Sequence, residues 1–184
     1  MTDLLLIAVA AATVNNVALV WLLGLGPVLA SSGDVAGARG VSPATTAALT
    51  VTCGLSWLLE QWVLVPRGLG WLRIVSVVVI SILAVHGINR LHPQPAARLP
   101  LNTINCMVLG VALLATGTAT SLAGVLVLGL GAGLGFGLVL LLYGGLQSRL
   151  AGAPVPAALR GPGIALLTFG MMSLAVLGFS GIGT

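Results

Sequence analysis

The sequence predicts an all-α membrane protein: six transmembrane helices in a three-plus-three inverted repeat, with helices one and four broken. Three observations lead there. Over 184 residues the chain is 58% hydrophobic and only 5% charged, too little charge to cover the surface of a soluble domain of this length. The apolar residues gather into six stretches, each long enough to cross a hydrocarbon core of ~30 Å at ~1.5 Å per helical residue. Polar and helix-breaking residues concentrate in the first and fourth stretches, which cross in opposite senses. That is the hydropathy pattern of an inverted repeat whose working site lies near the midplane, where two broken helices meet. The chain reads as one integral membrane domain, 1–184, with repeat halves of about 1–92 and 93–184.

Segment one runs about Leu4–Leu29. It carries Asn15 and Asn16 near its middle, then Gly24, Gly26 and Pro27. A helix broken in this way is tolerated where protein or water satisfies the freed backbone. The chain begins MTD, with no basic run before its apolar stretch and no small-residue cleavage site after it, so this stretch is expected to be a retained span. Segment two, Ala44–Val65, holds Cys53 with Thr52 as its polar neighbour, the setting of a packing thiol. Glu60 and Gln61 lie about one turn inside its end. An intramembrane acid is a candidate for cation or proton handling, and it is equally placed to pair with Arg67 or Arg73. Trp57, Trp62 and Trp71 cluster at the same end, as an interfacial aromatic belt does.

Segment three is Leu69–Ile88. His86 and His92 flank the loop that follows it and form no ligand pair with a neighbour in sequence, so interfacial solvation is their expected state. Segment four, Leu101–Thr120, opens LPLNTINCMVLGVALL from Leu99 to Leu114. Asn102, Thr103, Asn105 and Cys106 fall within five residues, and each such group costs free energy in hydrocarbon unless it finds a partner. Pro100 stiffens the entrance, and Gly110, four residues after Cys106, leaves room for close approach. A soft sulfur beside amide dipoles at membrane depth suits a metal or redox centre, while a buried packing thiol is the plainer alternative. Segment five, Leu122–Leu146, contains GLGAGLGFG from Gly129 to Gly137. No strand precedes it and no lysine follows, which excludes a phosphate-cradling loop. Gly129, Gly133 and Gly137 share one helical face, as do Gly131 and Gly135, and such stripes let helices approach closely. Segment six is Gly163–Phe179.

Seven arginines against three acids give a net charge of +4. They are scattered singly, without a basic run or an aromatic platform, which excludes a nucleic-acid surface. Arg39, Arg90, Arg98, Arg149 and Arg160 lie in the loops after segments one, three and five, whereas the opposite side has Arg67 and Arg73. The positive-inside rule then puts the first set in the cytoplasm and both termini on the outer, periplasmic face of a bacterial inner membrane. Cys53 and Cys106 both sit in apolar segments, which argues against a disulfide framework.

The residues also carry a resemblance. VNN at Val14–Asn16, LGLGP at Leu23–Pro27, ATT at Ala44–Thr46, the LPLNTINCMVLGVALL stretch, VPAALRG at Val155–Gly161 and GIALLTFGMMSLAVLGFSG at Gly163–Gly181 together run nearly end to end. They resemble the membrane subunits shared by the Rnf complex and the sodium-translocating NADH:quinone oxidoreductase, the RnfA type most of all. The resemblance implies six spans in an inverted repeat and a homologous sister subunit of opposite topology. It also implies a 2Fe–2S cluster held inside the membrane between the two, each giving one cysteine from each broken helix. Flavin- and iron-carrying partner subunits would exchange electrons through it, with Na⁺ or H⁺ movement coupled to the flow. Carried over residue by residue, Cys106 matches the family's second cysteine, with Asn105 beside it. The first belongs in the LGLGP motif, where this chain has Gly26. That departure removes half of this chain's expected ligand set.

Three functions follow from the sequence. The leading one is a redox subunit of an ion-translocating oxidoreductase, with no active site of its own. A small inverted-repeat transporter or channel is the second, since broken helices also build those. A scaffold subunit that has lost its redox centre is the third.

Overall fold

The computed structural model describes residues 8–13, 16–26, 35–91, 106–118, 121–153, 156 and 159–178, and the side chains of 35–41, 89 and 91 are not among those described. It is all-α. After helical residues 8–12 come α1 (Val17–Val20), α2 (Val35–Leu59), α3 (Arg73–Leu91), α4 (Cys106–Thr118), α5 (Leu122–Leu150) and α6 (Pro162–Leu177). A π-helical turn, Glu60–Leu64, extends α2, and a short 3₁₀ turn, Gly70–Leu72, leads into α3. Three stretches among the described residues are long and apolar enough to cross a membrane: Ser42–Leu64, Gly70–Ile88 and Leu122–Leu150. Cys106–Thr118 and Pro162–Leu177 are shorter apolar helices.

α5 is the axis of the molecule. Ser121 caps its start, the hydroxyl accepting from the Gly124 N–H at 3.2 Å, and no helix breaker other than glycine interrupts it. Those glycines are tolerated because their bare faces are covered. A Cβ added at Gly129 would lie 3.1 Å from Thr50 Cα, and one at Gly133 2.7 Å from Thr46 Cα. At Gly137 the added atom would strike Ser42. The second stripe meets the first segment: at Gly131 the obstacle is the Ala8 carbonyl at 2.8 Å, and at Gly135 it is Ala12 Cα at 2.9 Å. One glycine face therefore seats α2 and the other seats residues 8–12, as expected of small-residue packing in a membrane. Tyr143 and Phe169 join α5 to α6 edge to face, with ring centroids 6.3 Å apart, a favoured aromatic geometry.

The first segment is broken, as its sequence demanded. The helix of residues 8–12 ends before Asn16, whose side chain then restarts the chain. Its Oδ1 accepts from the Ala18 N–H at 3.1 Å while its Nδ2 donates to the Ala12 carbonyl at 3.0 Å. That single asparagine stitches both sides of the break, which is why a polar residue is tolerated there at 2% exposure. α1 is only four residues long. Beyond it Leu22 has φ +53° and Gly24 φ +89°, so the chain turns sharply before Leu25 and Gly26 become helical again. The Leu19 carbonyl, freed by this turn, accepts from Ser173 Oγ of α6 at 2.6 Å.

Three boundaries differ from the sequence reading: α3 runs on to Leu91, which puts Arg90 in its last turn and not in a loop, and the other two lie in α2 and α5. α2 begins at Val35 and not at Ala44, carrying Pro43 inside it, so Arg39 lies on a helix and not in a loop. Its first turns are too polar and glycine-rich to register as apolar span, although nothing prevents them from continuing the helix outward. α5 likewise runs on to Leu150, which places Arg149 in its last turn, where a cation is favoured by the helix dipole. Asn15, Pro27, His92, Arg98, Pro100, Asn102, Thr103 and Asn105 lie outside the described residues.

Candidate functional site

The broken part of segment one and the start of α4 meet. Cys106 is the first residue of α4, and its Sγ accepts the Gly24 N–H at 3.2 Å across 82 residues of sequence. Such a bond reaches the sulfur because Gly24 stands at φ +89°, a conformation glycine adopts freely and other residues resist. A side chain at Gly24 is excluded a second time, since its Cβ would lie 2.8 Å from Phe136 Cε2 of α5. The next turn of α4 adds a further contact: a Cβ at Gly110 would lie 2.5 Å from Leu23 Cδ1. Leu23 thus rests on the bare backbone of Gly110, and that seat holds the Gly24 amide beside Cys106.

The thiol itself faces outward. Cys106 is exposed while its successors Met107 and Val108 are buried in the core. Gly26 is exposed as well, and a Cβ there would have nothing within 4 Å. Trp21 and Leu22, at 67% and 43% exposure, lie in the same turn of chain. The joint between the broken first segment and α4 therefore opens on the surface of this chain, with a sulfur and an unfilled side-chain position in it.

Chemically, the joint offers one soft ligand with one N–H donor to its sulfur. Iron–sulfur clusters are held by thiolates, and hydrogen bonds to sulfur tune them, so Cys106 fits as a ligand. Gly26 supplies none, and among the described residues no group of three or more His, Cys, Asp or Glu is placed to hold a metal ion. Any cluster at this joint thus draws most of its ligands from outside the described part of the chain. Of the site residues expected from the sequence, Cys106 and Gly26 are placed and Asn105 lies outside the described residues.

Two other candidates lie apart from the joint. Cys53 is fully buried in the seam between α2 and α5, its Sγ 3.5 Å from where a Gly129 Cβ would be, and belongs to no group of three or more His, Cys, Asp or Glu among the described residues. Glu60 is 5% exposed and pairs with Arg73, the second of the two arginines within reach on the sequence reading. Gln61 is exposed. Sequence reasoning marked Gly110 as a place of close approach but did not find Gly24 or Leu23, which do the approaching. The signal was present, since the first glycine of LGLG precedes Gly26 by two residues, but only the fold brings it to Cys106.

Comparison with known proteins identifies the family. Residues 4–183 match the family model described as Rnf-Nqr subunit, membrane protein. The A-type subunit of the ion-translocating oxidoreductase complex from Azoarcus is 40% identical over 190 residues, covering 99% of this chain and 98% of its own. The protein of the same description from Alcanivorax borkumensis is 43% identical over 192 residues, again covering 99% and 98%. The Shigella flexneri one is 40% identical over 190 residues with the same coverage. On these matches the chain belongs to the Rnf-Nqr family of membrane subunits, in its RnfA group.

Proposed function

We propose that this chain is the membrane subunit of an Rnf-type ion-translocating oxidoreductase that gives Cys106 as a ligand to an intramembrane 2Fe–2S cluster shared with a sister subunit. The observation that supports it most is the Gly24 N–H to Cys106 Sγ bond at 3.2 Å on an exposed thiol. A packing thiol has no use for either feature. When bound, such a cluster supplies a one-electron relay at membrane depth. The chain's own residues prepare the place: Gly24 donates to the sulfur, Leu23 seated on Gly110 fixes that donor, and Phe136 closes the inner side. The joint backs on to the buried Phe136 and Met107, and burial is one of the levers on a cluster's potential.

Gly26 is the open position of this ligand set. A homologous partner of opposite topology, or a non-protein ligand, fills it on this reading. The space around Gly26 supports that, because among the described residues nothing lies within 4 Å of its missing Cβ. The test is iron content and electron paramagnetic resonance of the purified complex. Cys106→Ala should lose the signal, and Gly26→Cys, entering open space, should make it more resistant to chelators. Iron unchanged in Cys106→Ala would leave the scaffold reading in front.

The finer architecture is part of the same proposal: six spans in a three-plus-three inverted repeat, halves near 1–92 and 93–184, both termini periplasmic. The contact between segments one and four supports the repeat, because the two polar, interrupted segments meet each other through Cys106 and Gly24. The arginine distribution supports the orientation. A reporter fused at the exposed Gly68, between α2 and α3, reads outside on this account, and a cytoplasmic reading reverses it.

A further inference from the structure

Hydroxyls within these helices have a common habit. Thr46 donates to the Ser42 carbonyl at 2.9 Å, Thr50 to Thr46 at 2.9 Å, Ser81 to Val78 at 2.8 Å, Thr116 to Leu113 at 3.0 Å and Thr168 to Ile164 at 2.7 Å. Back-bonding of this kind is how serine and threonine satisfy themselves in hydrocarbon. Thr52 and Ser56 depart from it. Both are buried, at 0% and 2% exposure, and neither Oγ has a hydrogen-bond partner among the described residues. One turn further on stands Glu60, whose Oε2 is also buried and unpartnered.

The three residues are spaced by four and so lie on one flank of α2, at steps of ~6 Å. That flank borders the face that meets α5 through Ser42, Thr46, Thr50 and Cys53. The main other neighbours of α2 are α3 and α4. The file begins near the membrane surface at Glu60 and ends near the middle of the Ser42–Leu64 span at Thr52. At its mouth the helix widens into the π-helical turn Glu60–Leu64, a distortion that recurs at functional sites.

Charge at the mouth is lopsided. Glu60 and Arg73 form a pair, but the side chain of the first is 7% exposed and that of the second 42%. Solvent screens the guanidinium more than the carboxylate, so the carboxylate is the less screened of the two charges on the buried side. Arg73 holds Oε1 and leaves Oε2 free, and its own Nε is without a partner too. A water between Oε2 and Nε would satisfy the mouth, yet it would not reach two hydroxyls one and two turns deeper.

We propose that Thr52, Ser56 and Glu60 form a binding file for a small, partly dehydrated monovalent cation, with Na⁺ as the fitting probe. Hydroxyl and carboxylate oxygens are the hard ligands such an ion accepts in place of water, and the carboxylate supplies the charge a membrane interior otherwise lacks. The file lies on α2, away from the Cys106 joint. The inference rests on reading the chain as part of an ion-translocating complex, and it assigns one stretch of the ion's route to this chain.

The experiment uses the whole complex in proteoliposomes, with redox turnover and ²²Na⁺ uptake followed against Na⁺ concentration. Ser56→Ala should raise the half-saturating Na⁺ concentration roughly tenfold, the loss of one good ligand, and Thr52→Val should raise it by a smaller factor. Thr168→Val, whose hydroxyl is already occupied by the Ile164 carbonyl, should leave it unchanged. An unaltered Na⁺ response in both Ser56→Ala and Thr52→Val overturns the proposal, as does a wild-type complex indifferent to Na⁺. Iron is measured on the same preparations. A Na⁺ shift in Ser56→Ala with iron retained in Cys106→Ala sinks the cluster reading and keeps this one. The reverse pattern sinks this one alone.

Discussion

Cys53 and Cys106 are both cysteines in apolar membrane segments, and the fold treats them in opposite ways. Cys53 lies in a seam where glycine backbones of α5 press directly on α2, and it is wholly covered. Cys106 lies in a joint where a turn of broken helix leans on α4, and it is exposed with a backbone N–H on its sulfur. The seam is backbone on backbone: the Gly133 position faces Thr46 Cα at 2.7 Å. The joint is backbone on the tip of a side chain, Leu23 Cδ1 over Gly110. A rigid seam holds the fold, and a compliant joint holds a thiol at the surface. Each part of that contrast can be attacked by substitution.

The largest effect belongs to the seam. Gly133→Leu places a branched side chain where Thr46 Cα, Cβ and Cγ2 already lie within 2.9 Å. Overpacking a well-filled contact costs about 1–3 kcal/mol even when neighbours can yield, and here one of the nearest atoms is the Thr46 backbone Cα. The expected outcome is loss of folded chain from the membrane, measured as yield of assembled complex. Normal yield would mean that the stripe does not bear on α2.

The joint should respond more mildly and more locally. In Gly110→Ala the new methyl meets Leu23 Cδ1 at 2.5 Å, and the leucine can rotate aside. We expect yield to be kept while the environment of Cys106 changes, seen as a shifted paramagnetic resonance spectrum or faster loss of iron to chelators. An unshifted spectrum would show that Leu23 does not position the Gly24 donor. The smallest effect is Cys53→Ala, which removes one buried sulfur from the seam. About 1 kcal/mol of stability is the expected loss, read as a modest fall in the detergent-denaturation midpoint.

How much of this was legible in the sequence follows from how local each feature is. The glycine stripes were legible, because Gly129, Gly133 and Gly137 repeat every four residues and a helix converts that spacing into a face. The break in segment one was legible from Asn16 and the glycines that follow. The start of α2 at Val35 was not, since hydropathy detects the apolar stretch and not the helix that extends beyond it. The π-helical turn at Glu60 and the positive φ of Leu22 left no trace in composition. Cys106 was legible as a candidate and Cys53 as a packing thiol, but the physical basis of the difference was not. Exposure and the Gly24 donor arise only when residues 82 apart come together.

The measurement that tests the account most directly is a three-way comparison of iron per complex and its paramagnetic resonance signal in wild type, Cys53→Ala and Cys106→Ala. The account predicts iron and signal unchanged in Cys53→Ala and lost in Cys106→Ala at equal complex yield. Equal iron in all three, or loss in Cys53→Ala alone, would contradict it.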